Sequence, residues 1–184
     1  LVKKKEEGRI RHIGFSFHDS PELLERILKD HPETEYVQLQ LNYLDWDDAA
    51  LRAKECYEIA ARHGKPVIVM EPIKGGALAN IPEKADEILK AQTPGLSTAS
   101  WAIRFAATHE NVMMVLSGMS NMEQVEDNLS YMKDFKPLSE AEMKALKQAA
   151  DIIRSGIAIS CTACRYCVSE SECPKNIAIP DYFG

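Results

Sequence analysis

The sequence contains no long apolar run, no excess of basic residues and almost no cysteine outside one short segment. Its apolar stretches fall well short of the roughly 20 residues that a membrane-spanning helix needs. The formal net charge of −6 gives no general attraction to nucleic acid or to anionic lipid. The first residues, LVKKKEEG, are charged and lack the apolar core of a secretory signal. These features predict a cytoplasmic protein without nucleic-acid or membrane partners.

The cysteines are distributed unevenly. Four of the five lie within residues 161–173, and Cys56 stands alone. A secreted disulfide framework would spread its cysteines over the fold, so this cluster favours a metal site. Cys56 lies at helical spacing with Ala53, Ile59 and Ala60, and we predict that it is a small buried apolar residue.

Apolar runs alternate with amphipathic stretches four times along the chain. The apolar runs are residues 10–16, 36–41, 66–70 and 112–116, and the helical patterns that follow are 21–29, 48–63, 83–91 with 97–109, and 122–132. The mostly apolar runs VQLQL, VIVM and VMMVL are typical of parallel strands covered on both faces. The sequence therefore predicts an α/β fold of four βα units, which is half of a (β/α)8 TIM barrel.

Three regions follow from this pattern. Residues 1–135 are the predicted half barrel, residues 136–158 are an outer helix and linker, and residues 159–184 are the cysteine segment. Because the chain starts with Leu and stops without a closing element, we expect a piece of a longer protein. Missing N-terminal units, or a second chain, would then close the barrel.

The cysteine segment reads CTACRYCVSESECP from Cys161 to Pro174. Three cysteines separated by two-residue gaps, followed by Cys-Pro, form the pattern of a bacterial ferredoxin site. We predict a [4Fe–4S] cluster bound by Cys161, Cys164 and Cys167, with Cys173 as the fourth ligand. Zinc is the alternative metal because it also accepts four thiolates, although zinc sites usually supply their cysteines in two separated pairs.

The position of the fourth cysteine departs from the ferredoxin pattern. That pattern has three residues between the third and fourth cysteines, whereas residues 168–172 separate them here. We interpret the longer spacer as allowing Cys173 to fold back onto the same cluster. Competing ligands are Cys56, a residue in a missing part of the protein, or another chain.

Five stretches of the sequence have an order and spacing typical of one family. They are GRIRHIGFS at 8–16, VQLQLNYLD at 37–45, PVIVMEPIKGGAL at 66–78, VLSGMSNMEQVEDNL at 115–129 and CTACRYCVSESECPKNIAIP at 161–180. Together they resemble the aldo/keto reductase family, in particular its bacterial branch with a C-terminal 4Fe–4S ferredoxin-type segment. The resemblance covers the C-terminal half of the barrel and the tail. It implies NAD(P)H-dependent reduction of a small carbonyl substrate, and a redox partner for the cluster.

The resemblance also implies a cofactor site at the C-terminal mouth of the barrel. The implied contacts run from nicotinamide to adenine: Ser16 and Gln38 at the carboxamide, Met70 at the nicotinamide ring, Ile73, Gly75 and Gly76 at the pyrophosphate, Gly118, Met119 and Ser120 near the adenosine ribose, and Gln124, Asp127 and Asn128 at adenine. Simpler interpretations are that Gln38 is a satisfied interior residue, that the glycines only form a loop, and that Asn128 is a helix-end residue.

The sequence departs from the family at several of these positions. Phe17 follows Ser16 where the family often has Asn, and Met70 replaces a commonly aromatic residue. Gly118 and Gln124 stand where Lys and Arg often bind the 2′-phosphate, so the cofactor is either NADP or NAD.

No catalytic residue can be assigned from the resemblance. The catalytic Asp, Tyr, Lys and His of the family lie in the first half of the barrel, before residue 1. We therefore predict that this polypeptide alone does not turn over. The competing functions are a non-catalytic iron–sulfur electron carrier or structural module, and a zinc-stabilised interaction domain.

Overall fold

A computed structural model describes residues 1–156 together with Lys175, Ile177 and Ile179. The elements in chain order are α1 Val2–Glu6, β1 Gly14–Phe17, α2 Pro21–Asp30, β2 Tyr36–Gln40, α3 Ala53–Arg62, β3 Val67–Met70, a short 3₁₀ segment Lys74–Ala79, α4 Glu83–Gln92, α5 Thr98–Thr108, β4 Val112–Val115, α6 Met122–Met132 and α7 Glu140–Gly156. The predicted ligands Cys161, Cys164, Cys167 and Cys173 lie outside the described residues. In residues 1–156 no helix combines the length and apolar character needed to span a membrane.

The four strands form one parallel sheet in the order β1-β2-β3-β4. Gly14 lies opposite Tyr36, Val37 opposite Val67, and Val67 opposite Val112. Parallel neighbours that follow one another in sequence are joined by right-handed crossovers, which place the connecting helices on one face of the sheet. This arrangement confirms the prediction of an α/β fold. The four-stranded sheet corresponds to part of the wall of a barrel.

The first strand begins later than its apolar pattern predicts. The apolar pattern predicts a strand over residues 10–16, whereas β1 begins at Gly14, and the Ile13 amide just before it is paired with a side chain. The Ile13 amide donates to the Glu35 carboxylate at 2.9 Å, and the Glu35 amide donates to the Ile13 carbonyl at 2.7 Å. Lys5 also donates to this carboxylate, and its hydrogen bond is the main reason that the pKa of Glu35 falls to about 2.

The third helix is also shorter than predicted. The sequence pattern predicts a start at about residue 48, whereas α3 begins at Ala53. The Asp48 carboxylate accepts the amides of Ala50 and Leu51 at 2.8 and 2.9 Å, and Arg52 has a left-handed backbone with φ 49°. Such local side-chain bonds compete with helix formation, so residues 48–52 form turns.

Local contacts and backbone geometry define other helix ends. Ser20 caps α2 by accepting the amide of Leu23. Ser139 and Glu142 form a capping box, in which the Ser139 amide donates to the Glu142 carboxylate at 2.8 Å. Gly64, just after α3, has φ 64°, the left-handed conformation that glycine adopts without steric cost.

The core lies between the sheet and its covering helices. It includes Phe17, Val37, Leu39, Val67 and Val69 from the strands and Leu24, Leu89, Trp101 and Leu146 from the helices. Helix α7 packs against α4 and buries Ala145, Leu146, Ala149, Ala150 and Ile153. An ion pair between Arg104 and Glu142, at 2.8 Å, joins α5 to α7.

The opposite face of the sheet is only partly covered by the described residues. Its alternating side chains are Ser16 on β1, Tyr36, Gln38 and Gln40 on β2, Ile68 and Met70 on β3, and Met114 on β4. In a closed barrel this face is the interior. Near it, β4, the residue after it and α6 expose large apolar side chains: Met113, Met114, Leu116, Met122 and Leu129.

We expect the isolated chain to associate through this exposed apolar surface and the strand edges β1 and β4. Unpaired edges and exposed apolar side chains favour pairing with another chain. Light scattering after gel filtration should therefore give a mass above the 20.6 kDa of one chain. Met114→Lys on β4 should reduce association by placing a charge on the edge strand. A stable, compact wild-type monomer would contradict the prediction.

Candidate functional site

A cavity of about 520 Å³ opens where β3 and β4 end. Its walls come from the segment after β3, the segment after β4 and the first turns of α6. It is lined by eight of the positions predicted to bind a cofactor: Ile73, Gly75, Gly76, Gly118, Met119, Gln124, Asp127 and Asn128. The carboxyl ends of parallel strands are the edge at which barrel proteins build their sites.

The three positions predicted for the nicotinamide lie together on the uncovered sheet face. Ser16 is exposed and lies opposite Gln38 in the β1–β2 register. The Gln38 Nε2 atom lies 3.3 Å from the Met70 Sδ atom, a weak acceptor. Because Glu71 follows Met70 and also lines the cavity, this group and the cavity are adjacent.

The loop after β3 has an unusual backbone. Glu71, Lys74, Gly75 and Gly76 have φ values of 55°, 50°, 62° and 102°. Glycine reaches this region freely, whereas other residues pay a steric cost. The Gly75 amide donates to the Glu71 carboxylate at 2.9 Å. The loop therefore brings glycine backbone to the cavity wall. The amides of Gly75 and Gly76 are engaged by the Glu71 carboxylate and the Ile73 carbonyl, so an anionic group that binds these amides must displace those contacts.

The polar side chains on the α6 wall are held by local hydrogen bonds. Asn128 Nδ2 donates to Ser117 Oγ at 2.9 Å, and Tyr131 donates its hydroxyl proton to Asn128 Oδ1. Ser97 Oγ donates to Asp127 at 2.6 Å. These contacts fix the side chains of Asn128 and Asp127 before any ligand binds.

Ser120 lies beside the cavity. Its amide and hydroxyl both contact Gln124 Oε1, at 2.7 and 3.2 Å. Asn121 begins α6 by accepting the Gln124 amide at 2.9 Å. The carbonyl end of Gln124 is therefore engaged with its own helix start, which orients its amide group.

The cavity wall carries acidic side chains and no basic one among the described residues. Glu71 and Asp127 supply carboxylates, and the other polar contributors, Ser117, Gln124 and Asn128, are neutral. Any phosphate bound here would interact with backbone amides and neutral donors instead of with a guanidinium or an ammonium group.

The sequence did not identify several residues of the wall. Glu71, Ala99, Leu116 and Ser117 line the cavity. Glu71 and Leu116 directly follow strands, and this position in the sequence could have identified them as residues of the site. Ala99 comes from α5, and only the packing of that helix brings it to the cavity.

A second cavity, of about 510 Å³, lies where β1 and β2 end. His18, which follows β1 in the chain, lines this cavity together with Gln40, Asp45, Arg52 and Cys56. None of the predicted cofactor contacts is among the residues that line this second cavity.

Cys56 is buried, as the sequence predicts, with 5% of its surface exposed. Burial raises the pKa of its thiol to about 11, so the thiol stays protonated at neutral pH and is a poor metal ligand. Among the described residues, no group of three or more His, Cys, Asp or Glu side chains is placed to hold a metal ion.

Comparison with known proteins defines the class. The profile of the aldo/keto reductase family matches residues 1–151, and the chain belongs to this family. Among solved structures, it resembles an aldo-keto reductase from Bacillus halodurans in its holo form, with 23% identity, a TM-score of 0.63 and coverage of 80% of this chain and 53% of that chain. No curated protein sequence matches the chain.

Two further structures show the same fold. An aldo/keto reductase from Klebsiella pneumoniae in complex with NADP and acetate is 20% identical, with a TM-score of 0.62 and coverage of 80% of this chain and 51% of that chain. An aldose reductase from Giardia lamblia is 23% identical, with a TM-score of 0.59 and coverage of 80% and 47% respectively. The chain thus spans about half the length of these structures, in agreement with the four strands of the sheet.

Proposed function

We propose that this chain is the C-terminal, cofactor-holding part of an NAD(P)H-dependent aldo/keto reductase that carries a [4Fe–4S] cluster. The main support for this proposal is the cavity of about 520 Å³, because it brings together eight positions that the family resemblance assigns to the dinucleotide. Membership of the family and the NADP complex of the Klebsiella pneumoniae structure support this assignment.

The residues fit a dinucleotide by their chemistry. Glycines at 75, 76 and 118 let an extended phosphate ligand approach the backbone, and a Cβ atom placed on Gly76 or Gly118 would meet no other described residue within 4 Å. Ile73, Gly75 and Gly76 would hold the pyrophosphate. The side chains of Gln124, Asp127 and Asn128 would face the adenosine end.

Ser16, Gln38 and Met70 would orient the nicotinamide on the open sheet face. Bound NAD(P)H supplies the hydride, and these side chains would set which face of the ring is presented to a carbonyl carbon. The groups that move the proton would come from barrel units other than the four described. For that reason we predict that the chain alone does not reduce carbonyl compounds.

The choice between NADP and NAD depends on the charge around the adenosine. The described wall contains Glu71 and Asp127 and no cation, which weakens the case for a bound 2′-phosphate. The proposal therefore includes both cofactors, with a small carbonyl compound as substrate and a redox partner for the cluster.

The cluster would be bound by Cys161, Cys164, Cys167 and Cys173. Their spacing and their all-thiolate chemistry support this assignment. A cluster would supply one-electron chemistry or a rigid structural centre. Zinc bound by the same cysteines is the second candidate, favoured only by the suitability of four thiolates for that metal.

Filling the cavity tests the cofactor site directly. Gly118→Leu in the product of the complete gene should weaken NADH and NADPH binding by about tenfold or more, measured by calorimetry or fluorescence. The reason is that Gly118 lines the cavity and its Cβ position is open, so the added side chain occupies ligand space without straining the fold.

The matched control is Gly156→Leu. Among the described residues, no atom lies within 4 Å of a Cβ added to Gly156, and Gly156 does not line the cavity. Its variant should bind both cofactors as the wild type does. If Gly118→Leu binds both cofactors as tightly as the wild type, the cofactor site must lie elsewhere. A wild-type protein that binds neither dinucleotide would contradict the reductase proposal.

A further inference from the structure

A buried ion pair lies behind the cavity wall. Lys74 Nζ is 2.8 and 3.0 Å from the two carboxylate oxygens of Asp45, and the two side chains are only 8% and 6% exposed. Placing both charges inside a protein carries a large desolvation cost. The pair joins the segment after β2 to the loop after β3.

Asp45 is fixed from the β2 side by its own network. Asn42 Nδ2 donates to Asp45 at 2.8 Å, and Gln40 Nε2 donates to it at 3.3 Å. Asn42 Oδ1 accepts the amides of Leu44 and Asp45 at 3.1 and 2.9 Å. Asn42 is fully buried, so this network is a rigid base for the carboxylate.

Lys74 lies in the strained loop that forms one wall of the cavity. Its own φ is 50°, and Glu71 has a φ of 55°. Such conformations persist only when the surrounding contacts over-determine them. Its neighbours Ile73, Gly75 and Gly76 line the cavity, whereas Lys74 does not. Its ammonium group instead reaches into the buried network.

We propose that the Lys74–Asp45 pair is a positioning device that fixes residues 71–76 in the shape that receives the dinucleotide pyrophosphate. The pair acts through the loop and touches no ligand. The anchoring of the loop stands on the structure alone, and its consequence for the dinucleotide rests on the proposed function.

The test removes both charges together, so that no unpaired charge stays buried. In Asp45→Asn/Lys74→Met, made in the product of the complete gene, the asparagine can keep its contact with Asn42. The amides of Gly76 and Leu78 both donate to the Ile73 carbonyl at 3.1 Å. Without cofactor, their hydrogen exchange should become about tenfold faster than in the wild type, while strand amides such as that of Val69 do not change.

The same variant should bind NADH and NADPH about tenfold more weakly, because the loop must be ordered on binding. The matched control is Arg104→Met/Glu142→Gln, which removes a pair whose side chains are 10% and 15% exposed and neither of whose residues lines the cavity. This control should lower the melting temperature without changing loop exchange or cofactor affinity.

The outcomes separate the two proposals. Wild-type exchange at Gly76 and Leu78 in the double variant would overturn the positioning role. The positioning role would also be overturned if the loop amides of the double variant exchange faster while its dinucleotide affinity equals that of a wild type that binds the dinucleotide. If the loop loosens as expected and the wild type binds neither dinucleotide, loop anchoring stands and the proposed reductase function fails.

Discussion

Replacing Cys164 with serine is expected to abolish the iron–sulfur cluster. Cys164 is the middle of three evenly spaced cysteines, and a cubic cluster needs thiolate at each iron corner that the protein holds. Anaerobically purified wild-type protein should contain about four iron atoms and four sulfides per chain, with broad absorption near roughly 400 nm. The variant should contain neither. A colourless wild type that contains zinc would instead support the alternative metal.

Two other cysteine variants complete this experiment. Cys56→Ala is the matched control because Cys56 is buried in the core, and its cluster content should equal that of the wild type. Loss of the cluster in Cys56→Ala would make Cys56 the fourth ligand. Cys173→Ala should change the iron count and the EPR spectrum, and unchanged values would remove Cys173 from the ligand set.

Acidification below pH 6.5 should destabilise the fold through His109. Its ring stacks on Trp46 with centroids 4.2 Å apart and meets Phe105 edge-on at 4.8 Å. Its Nε2 atom is buried and has no hydrogen-bond partner among the described residues. Burial lowers the pKa of His109 from the usual 6.5 of a histidine to about 4, because the positive form loses hydration without gaining a partner.

The sign follows from proton binding. Between pH 6.5 and 4 the unfolded histidine binds a proton and the folded one does not, so the unfolded state gains stability as the pH falls. The stability that the neutral His109 ring gives to the fold is therefore fully present above pH 6.5 and is lost as the pH falls towards 4. The expected loss is up to about 3 kcal/mol. Urea unfolding across this range measures it, and Trp46 fluorescence reports protonation of its stacked neighbour.

Two variants isolate the effect. His109→Phe should flatten the dependence of the unfolding free energy on pH in this window, because the ring stays aromatic and no longer titrates. Phe105→Leu, in the same cluster, should lower stability by about 1 kcal/mol at every pH and leave the slope unchanged. Equal slopes in wild type and His109→Phe would refute the role of His109.

Local patterns predicted most of the elements. The apolar runs gave four parallel strands in sequential order, and Ser20, Gly64 and the Ser139–Glu142 capping box fixed helix ends. The errors lay where a side chain from elsewhere or a local turn displaced regular structure. The Glu35 carboxylate pairs with a backbone amide just before β1, and the Asp48 carboxylate pairs with a backbone amide just before α3. Amphipathic periodicity cannot reveal such side-chain bonds to the backbone.

The sequence by itself determined the family, the parallel α/β order and the cysteine spacing, because periodicity and motif spacing are local properties of the chain. Only the tertiary structure showed that the segments after β3 and β4 enclose one cavity, that its described wall is acidic, and that Lys74 turns inward to Asp45. These features depend on residues that are distant in sequence and meet at the same edge of the sheet only after folding. Whether a charge can be buried there depends on the charged partner that the folded chain places beside it.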